Sequence, residues 1–223
     1  MIELAIYDMD RTITRAGTYT PWLIFWAWHR APWRLLLLPV AALAGLAYAL
    51  KLVSRKRLKE INQTLLMGHA VDPARIAPMA EAYAKRVMDG GVYPEALAQV
   101  AADKAAGRRV ILATASYAFY VEALARRFGI SKVIATKSLR DARGRIIARI
   151  DTDNCYADGK LQMVKDYLAD AGLDRSKVRI SFYSDHFSDK PVFDWSDEPI
   201  AVNASAPLRA HARKEGWQIV DWH

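Results

Sequence analysis

The chain has 223 residues, a formal net charge of +8, an apolar fraction of 52% and a charged fraction of 25%. That is enough for one sizeable core plus an insertion, and far from the composition of a disordered chain. A single cysteine, Cys155, excludes an internal disulfide, and five scattered histidines without HxxxH or CxxC spacing argue against zinc.

In chain order, the first element is an apolar run from Ile2 to Tyr7 that stops at Asp8-Met9-Asp10. A short apolar run ended by polar residues predicts a buried strand. Two carboxylates at its end repel one another unless a cation or a shared proton settles them. The pair is either a metal-dependent reaction centre or a solvated turn. No basic-then-apolar order typical of a secretion signal precedes it. Residues 20–90 read as helical, with Pro21 and Pro32 at helix starts and a helix from Asp72-Pro73 to about Met88. Helices follow at Pro94 to Ala106 and Tyr117 to Phe128, around a strand from Arg109 to Ala113. Lys132 to Thr136 is a strand and Ser138 to Asp151 a hairpin turning at Arg143-Gly144. A helix from Asp158 to Ala171, strands from Val178 to Tyr183 and Pro199 to Val202, a helix from Pro207 to Glu215 and a strand from Trp217 to Asp221 complete the chain. The alternation predicts an α/β fold, a Rossmann-like parallel sheet with helices on both faces. The division expected is a core of residues 1–18 plus 92–223 and an inserted all-helical cap of residues 19–91, its apolar segment at about 21–53.

In a parallel sheet the strand ends point to one edge. That edge gathers Asp8, Asp10, Thr114, Lys160 (first turn of the Asp158 helix), Asp185 and Asp189. Each has a plainer reading: Thr114 and Ser116 as caps of the next helix, Lys160 as a surface lysine. His186 and Asp158 read as cap or loop residues, Asp151 and Asp153 as a solvated turn, and Cys155 as a buried small residue.

The ordered set resembles the four motifs of the haloacid dehalogenase-like phosphohydrolases: Asp8-x-Asp10-x-Thr12, Thr114, Lys160 and Asp185-x-x-x-Asp189. The Asp-Arg-Thr form, with Arg11 where many members carry glycine, resembles subfamily IB and its phosphoserine phosphatase-like branch. The resemblance implies a phosphatase with Asp8 as nucleophile and Asp10 as general acid and base. It implies Mg2+ held by Asp8, the Asp10 carbonyl and Asp185, with Thr114 and Lys160 on the transferring oxygens and Thr12 and Asp189 in support.

Between Arg11 and Lys59 there is no acidic residue, and four of the seven tryptophans lie there. Leu35 to Leu50 are sixteen residues without a charge. As a helix these span about 24 Å, short of a hydrocarbon core of about 30 Å. A single crossing would also part Asp8 from Thr114, Lys160 and Asp185. The expectation is a helix or hairpin dipping into one leaflet, with Trp22, Trp26, Trp33, Arg34, Arg55 and Arg57 at the membrane contact and substrate access route and the neighbouring lysines at headgroups. A soluble cap with an apolar oligomer interface is the alternative. The basic–apolar–basic cap resembles that of the C-type phosphatidylglycerophosphate phosphatases. This implies a lipid phosphomonoester as substrate, an anionic membrane surface as partner, and a peripheral or monotopic place on the cytoplasmic side of a bacterial inner membrane, or else the cytoplasm. A soluble phosphoserine-like metabolite phosphatase and a membrane-binding protein with a vestigial site are the competing readings. No motif for nucleic acid accompanies the basic stretch.

Overall fold

The apolar run at the start of the chain forms β1 (Ile2–Tyr7), buried at its last four residues because it lies in the middle of a sheet covered on both faces. The computed structural model describes residues 1–223. After β1 the chain leaves the sheet. α1 (Tyr19–Arg30) is followed by a 3-10 stretch at Pro32–Leu37, then α2 (Leu38–Ala49) and α3 (Arg55–Leu66). Ser54 caps α3 by accepting from the Arg57 amide. β2 (Ala70–Val71) and α4 (Pro73–Met88) close the excursion, with Asp72 capping α4 through the Ala74 amide. Then come α5 (Pro94–Ala105), β3 (Arg109–Tyr117), α6 (Ala118–Arg127), β4 (Lys132–Thr136), β5 (Ser138–Arg140) and β6 (Ile146–Ile150). The chain ends with α7 (Asp158–Asp170), β7 (Val178–Ser184), α8 (Lys190–Trp195), β8 (Glu198–Val202), α9 (Ala206–Glu215) and β9 (Gln218–Val220).

The main sheet has the order β4-β3-β1-β7-β8-β9, and every pairing in it is parallel. Side-chain alternation along β1 divides the core in two. Ala5 and Tyr7 pack with Leu112, Tyr183 and residues of α4, α5 and α6, while Leu4 and Ile6 pack with Phe182, Val164 of α7, Phe193 of α8 and Leu208 of α9. The α/β expectation is met: helices cover both faces of a parallel sheet.

Three local departures have physical causes. The excursion is not wholly helical, because β2 pairs antiparallel with β6 (Ala70 opposite Ile147, Val71 opposite Ile146). The Glu60 carboxylate also accepts from the Ile150 amide at 3.0 Å. The hairpin therefore joins a second, three-stranded sheet in the order β2-β6-β5. The charge-free run is not one continuous α-helix. It is a 3-10 stretch followed by α2, with Pro39 in the first turn of α2, where its missing amide hydrogen costs nothing. Finally, α8 has only six residues, too few to leave a readable helical period.

The segment Pro32–Ala49 is long and apolar enough to cross a membrane by length and composition, and none of it is buried. Leu36 is 80% and Leu43 64% exposed. The 3-10 stretch and α2 pack along α3, and Arg34 bonds the Thr64 and Leu65 carbonyls near the α3 C-terminus, so the segment lies against α3 with its other side uncovered.

Candidate active site

The register of the sheet assembles the site. Tyr7 lies opposite Leu112 and Tyr183, so Asp8 emerges level with Ala113 and Ser184, and Thr114 and Asp185 come one residue later on the neighbouring strands. Beyond β1 the amides of Thr12, Ile13 and Thr14 converge on the Met9 carbonyl at 2.9–3.3 Å. That tight turn puts Arg11 at φ 63, a left-handed conformation in which glycine is less strained.

Lys160, 2% exposed, donates to Asp8 Oδ1 at 2.8 Å and to Asp189 Oδ2 at 2.6 Å. Ser184 Oγ donates to the same Asp189 oxygen at 2.6 Å. Asp10 has a separate set of partners. Its Oδ1 accepts from the Thr18 amide (2.8 Å) and hydroxyl (2.7 Å), and its Oδ2 from Ser116 Oγ (2.9 Å). Thr18 is held in turn by Tyr120, 3.0 Å from its hydroxyl, and by Tyr83, which donates to its carbonyl at 2.8 Å. Asp8, Asp10, Thr114, Lys160, Asp185 and Asp189 all line one cavity of about 380 Å³. Thr12 is fully buried behind the turn, and Thr114 Oγ1 accepts from the Ser116 amide at 3.2 Å.

Burial dominates the electrostatics. It pushes Asp8 up to about 8, against the pull of Lys160, and Asp185 up to about 6, helped by Asp189. Burial also raises Asp10, partly offset by Thr18 and Ser116. For Lys160 burial works against the charge, but Asp189 and Asp8 outweigh it and hold the ammonium above the ordinary lysine value.

An acid raised in the folded state keeps its proton where the unfolded chain has lost it, so its contribution to stability fades as pH rises through the folded value. Without divalent cations, the melting temperature is expected to fall between pH 5 and pH 8 as Asp185 and then Asp8 ionise. Added Mg2+ should raise it more at pH 8 than at pH 5. A melting series with and without chelator measures both.

No three His, Cys, Asp or Glu side chains are grouped as ligands. The donors at hand are the buried carboxylates of Asp8 and Asp185 and the Asp10 backbone carbonyl. A small set of hard oxygens fits Mg2+, which keeps several waters, and does not fit zinc.

Several expectations for the excursion need correction. Trp22 and Trp26 are 0% and 2% exposed and cannot sit at a membrane interface. Trp22 stacks on Tyr120 at 5.1 Å, meets Tyr83 edge-on and points its indole nitrogen at Met67 Sδ. Trp22→Ala should destabilise the fold by about 3–5 kcal/mol, readable in a denaturant titration. Lys59 is buried rather than at headgroups. Its Nζ donates to the Ala115 carbonyl (2.6 Å) and Asn154 Oδ1 (2.8 Å), and burial, aided by Arg55, lowers it to about 7. Arg34 donates to the Thr64 and Leu65 carbonyls, closing the C-terminal end of α3. Arg57 is an exposed partner of Glu60 at 3.5 Å. Trp33 is 59% exposed, and Arg55 reaches the cavity, stacked on Tyr156 at 4.2 Å.

Of the plainer readings, Ser116 does not cap α6 but holds Asp10. His186 accepts from the Ser188 amide as a cap, and Cys155 is buried, its thiol pushed up to about 12 by burial. Sequence reasoning missed Thr18 and Tyr120 and gave Ser184 and Lys59 no role at the site, although Ser184 directly precedes the motif residue Asp185.

A family profile for haloacid dehalogenase-like hydrolases matches residues 5–194. A histidinol-phosphatase from Neisseria meningitidis is 27% identical over 118 residues, covering 52% of this chain and 53% of its own. The chain spans about half the length of the first curated relatives it matches. A protein of unknown function from Bordetella pertussis has a solved structure with a TM-score of 0.90 at 28% identity, covering 99% of both chains. A phospho-aspartyl intermediate analogue of phosphoserine phosphatase has a TM-score of 0.63 at 14% identity, covering 99% of this chain and 93% of its own, a likeness of fold.

Proposed function

Because this chain belongs to the haloacid dehalogenase-like hydrolases, we propose that it is a phosphomonoesterase that passes the phosphoryl group through Asp8. The observation that carries this reading is Lys160, buried between Asp8 and Asp189 at the rim of a cavity that also holds Asp10, Thr114 and Asp185. Asp8 Oδ1 is held by Lys160, leaving Oδ2 to attack phosphorus as the bond to the leaving alkoxide breaks. Asp10, raised by burial, carries the proton that the alkoxide takes. Asp10 then removes a proton from the water that attacks the aspartyl-phosphate, releasing phosphate and restoring Asp8. The Thr114 hydroxyl and the Lys160 ammonium hold the transferring oxygens. Mg2+, held by Asp8, the Asp10 carbonyl and Asp185, would offset the repulsion between Asp8 and the incoming phosphate.

Residues 19–91 act as the cap over a core of residues 1–18 and 92–223, and supply Tyr19, Thr20 and Arg55 to the cavity. We take the substrate to be a lipid phosphomonoester such as phosphatidylglycerophosphate, and the cap to be akin to that of the lipid phosphatases of subfamily IB. Two features support this. Apart from Asp8, Asp10, Asp185 and Asp189 no carboxylate lines the cavity, so a substrate ammonium has no partner, whereas Arg11 and Arg55 suit a second anionic group. Glu60 serves the Ile150 amide, Glu81 pairs with Arg126, and Asp72 caps α4. The exposed Pro32–Ala49 segment would seat the protein in the cytoplasmic leaflet of a bacterial inner membrane. The match to a histidinol-phosphatase favours a second reading, a soluble metabolite phosphatase whose apolar segment meets another copy.

Phosphate release from lipid phosphates in micelles, phosphoserine and histidinol phosphate, each with Mg2+ or chelator, separates the readings. We expect at least tenfold higher kcat/KM on the lipid and no turnover in chelator. Preference for a soluble ester would sink the lipid reading, and turnover on none of them would sink the phosphatase itself.

A further inference from the structure

A basic cavity lies outside the Asp8 site. A cavity of about 780 Å³ opens where the end of α1, the end of α3, β2, the start of α4 and the β5–β6 turn meet, and Arg30, Arg34, Arg75, Arg145 and His69 face it. Asp72 is the one acid on its wall, and that carboxylate is occupied with the Ala74 amide. Arg34 is fixed by the Thr64 and Leu65 carbonyls at 3.0 and 2.7 Å, and its guanidinium lies over Gly68, where an added Cβ would come within 3.3 Å. Arg145 is paired with Asp141 at 2.8 Å. Arg30 and Arg75 make no ion pair and donate no side-chain hydrogen bond, so two guanidinium forks remain for a ligand. Arg34 is also the last charge before the bare apolar run, and Trp33 and Leu36 beside it are 59% and 80% exposed. A phosphate recognised here would therefore belong to a molecule whose remainder lies in an apolar phase.

We propose that this cavity is a second, non-catalytic phosphate site that takes the headgroup of an anionic phospholipid while Pro32–Ala49 dips among the acyl chains. The proposal rests on the membrane part of the function proposed above and not on the chemistry at Asp8. Guanidinium groups suit it because their planar forks bind phosphate oxygens bidentately. It also gives the docked protein a defined orientation, because a headgroup held at Arg30 and Arg75 fixes the rotation of the apolar segment about its own axis.

The test is flotation of the full chain with vesicles of neutral phosphatidylcholine, or of phosphatidylcholine with phosphatidylglycerol. The comparison is between the parent, Arg30→Gln/Arg75→Gln, and Lys177→Gln/Lys214→Gln as a control of equal charge outside the cavity. We expect the parent to prefer anionic vesicles, the Arg30/Arg75 variant to lose about thirtyfold in partitioning to them, and its weaker binding to neutral vesicles to stay at the parent level. The control should lose no more than a few-fold, and turnover of a water-soluble ester should be unchanged in both variants. Equal losses in the two variants would mean diffuse charge and overturn the site. Binding of the parent to neutral vesicles with no preference for anionic ones would overturn it while sparing the membrane reading, and binding to neither vesicle would overturn both.

Discussion

Asp8→Asn is expected to cut phosphate release by about 10⁴- to 10⁶-fold, the scale on which removal of a nucleophile acting within a unit is felt. The carboxamide oxygen can still accept from Lys160, now 2.8 Å from Asp8 Oδ1, so the contact that orients the side chain survives. What disappears is the anionic oxygen that forms the bond to phosphorus. Folding should not suffer. Asp8 is a buried carboxylate pushed up to about 8 by burial and by Asp189 and Asp185, so losing its charge relieves repulsion, while Lys160 keeps Asp189 as its counter-ion. A melting temperature at or above that of the parent, alongside lost turnover, is the expected pair of results. Turnover within about tenfold of the parent would remove Asp8 from the proposed chemistry.

Lys160→Met should damage both properties. The methionine fills much of the volume but leaves the 7%-exposed Asp8 and 3%-exposed Asp189 without their cation. Breaking a buried pair in this way costs about 3–5 kcal/mol, or about 10 °C in melting temperature for a chain of this size. The loss has a definite pH sense. Without the ammonium Asp8 holds its proton to higher pH than in the parent. The variant then binds more protons when folded, and its deficit widens as pH rises through the parent value for Asp8 of about 8 and narrows on the acid side. Turnover should fall by at least about 10²-fold, since one fixed donor to the transferring oxygens is gone. A deficit that does not change with pH would show that Lys160 contributes packing alone.

The parts of this molecule that could be read in advance are those set by local pattern and strand polarity. Asp8, Thr114 and Asp185 each follow an apolar run, and parallel pairing necessarily carries such ends to one edge. Lys160 could be found because it lies in the first turn of a helix that starts at the same edge. The parts that could not be read depend on long-range packing. Nothing near Thr18 or Tyr120 in the chain announces that Thr18 holds Asp10 and Tyr120 meets Thr18, since the two hydroxyls lie 102 residues apart in the chain. Lys59 stands in a run of bases like any solvated face, and only the fold reveals that it is inside, on the Ala115 carbonyl. Trp22 and Trp26 lie inside, against expectation, for a related reason. Tryptophan is as much at home in an aromatic core as at a bilayer surface, and composition does not separate the two. The exposure of Leu36 and Leu43 does, for the residues that follow.

The small sheet that joins β2 to β6 bears on how the chain reaches this shape and how it could be re-engineered. The pairing of residues 70 and 147 spans a stretch of chain that contains core strands β3 and β4, a contact of high sequence separation, so the helical excursion is expected to complete its fold together with the core. Native-state hydrogen exchange should find the β2 and β6 amides opening in one cooperative unit, not as two domains melting apart. For the same reason, a chimaera that transplants residues 19–91 alone into a related core would leave the edge of β2 without its β6 partner. A graft that also carries the hairpin of residues 138–150 keeps that edge paired and is the one expected to fold.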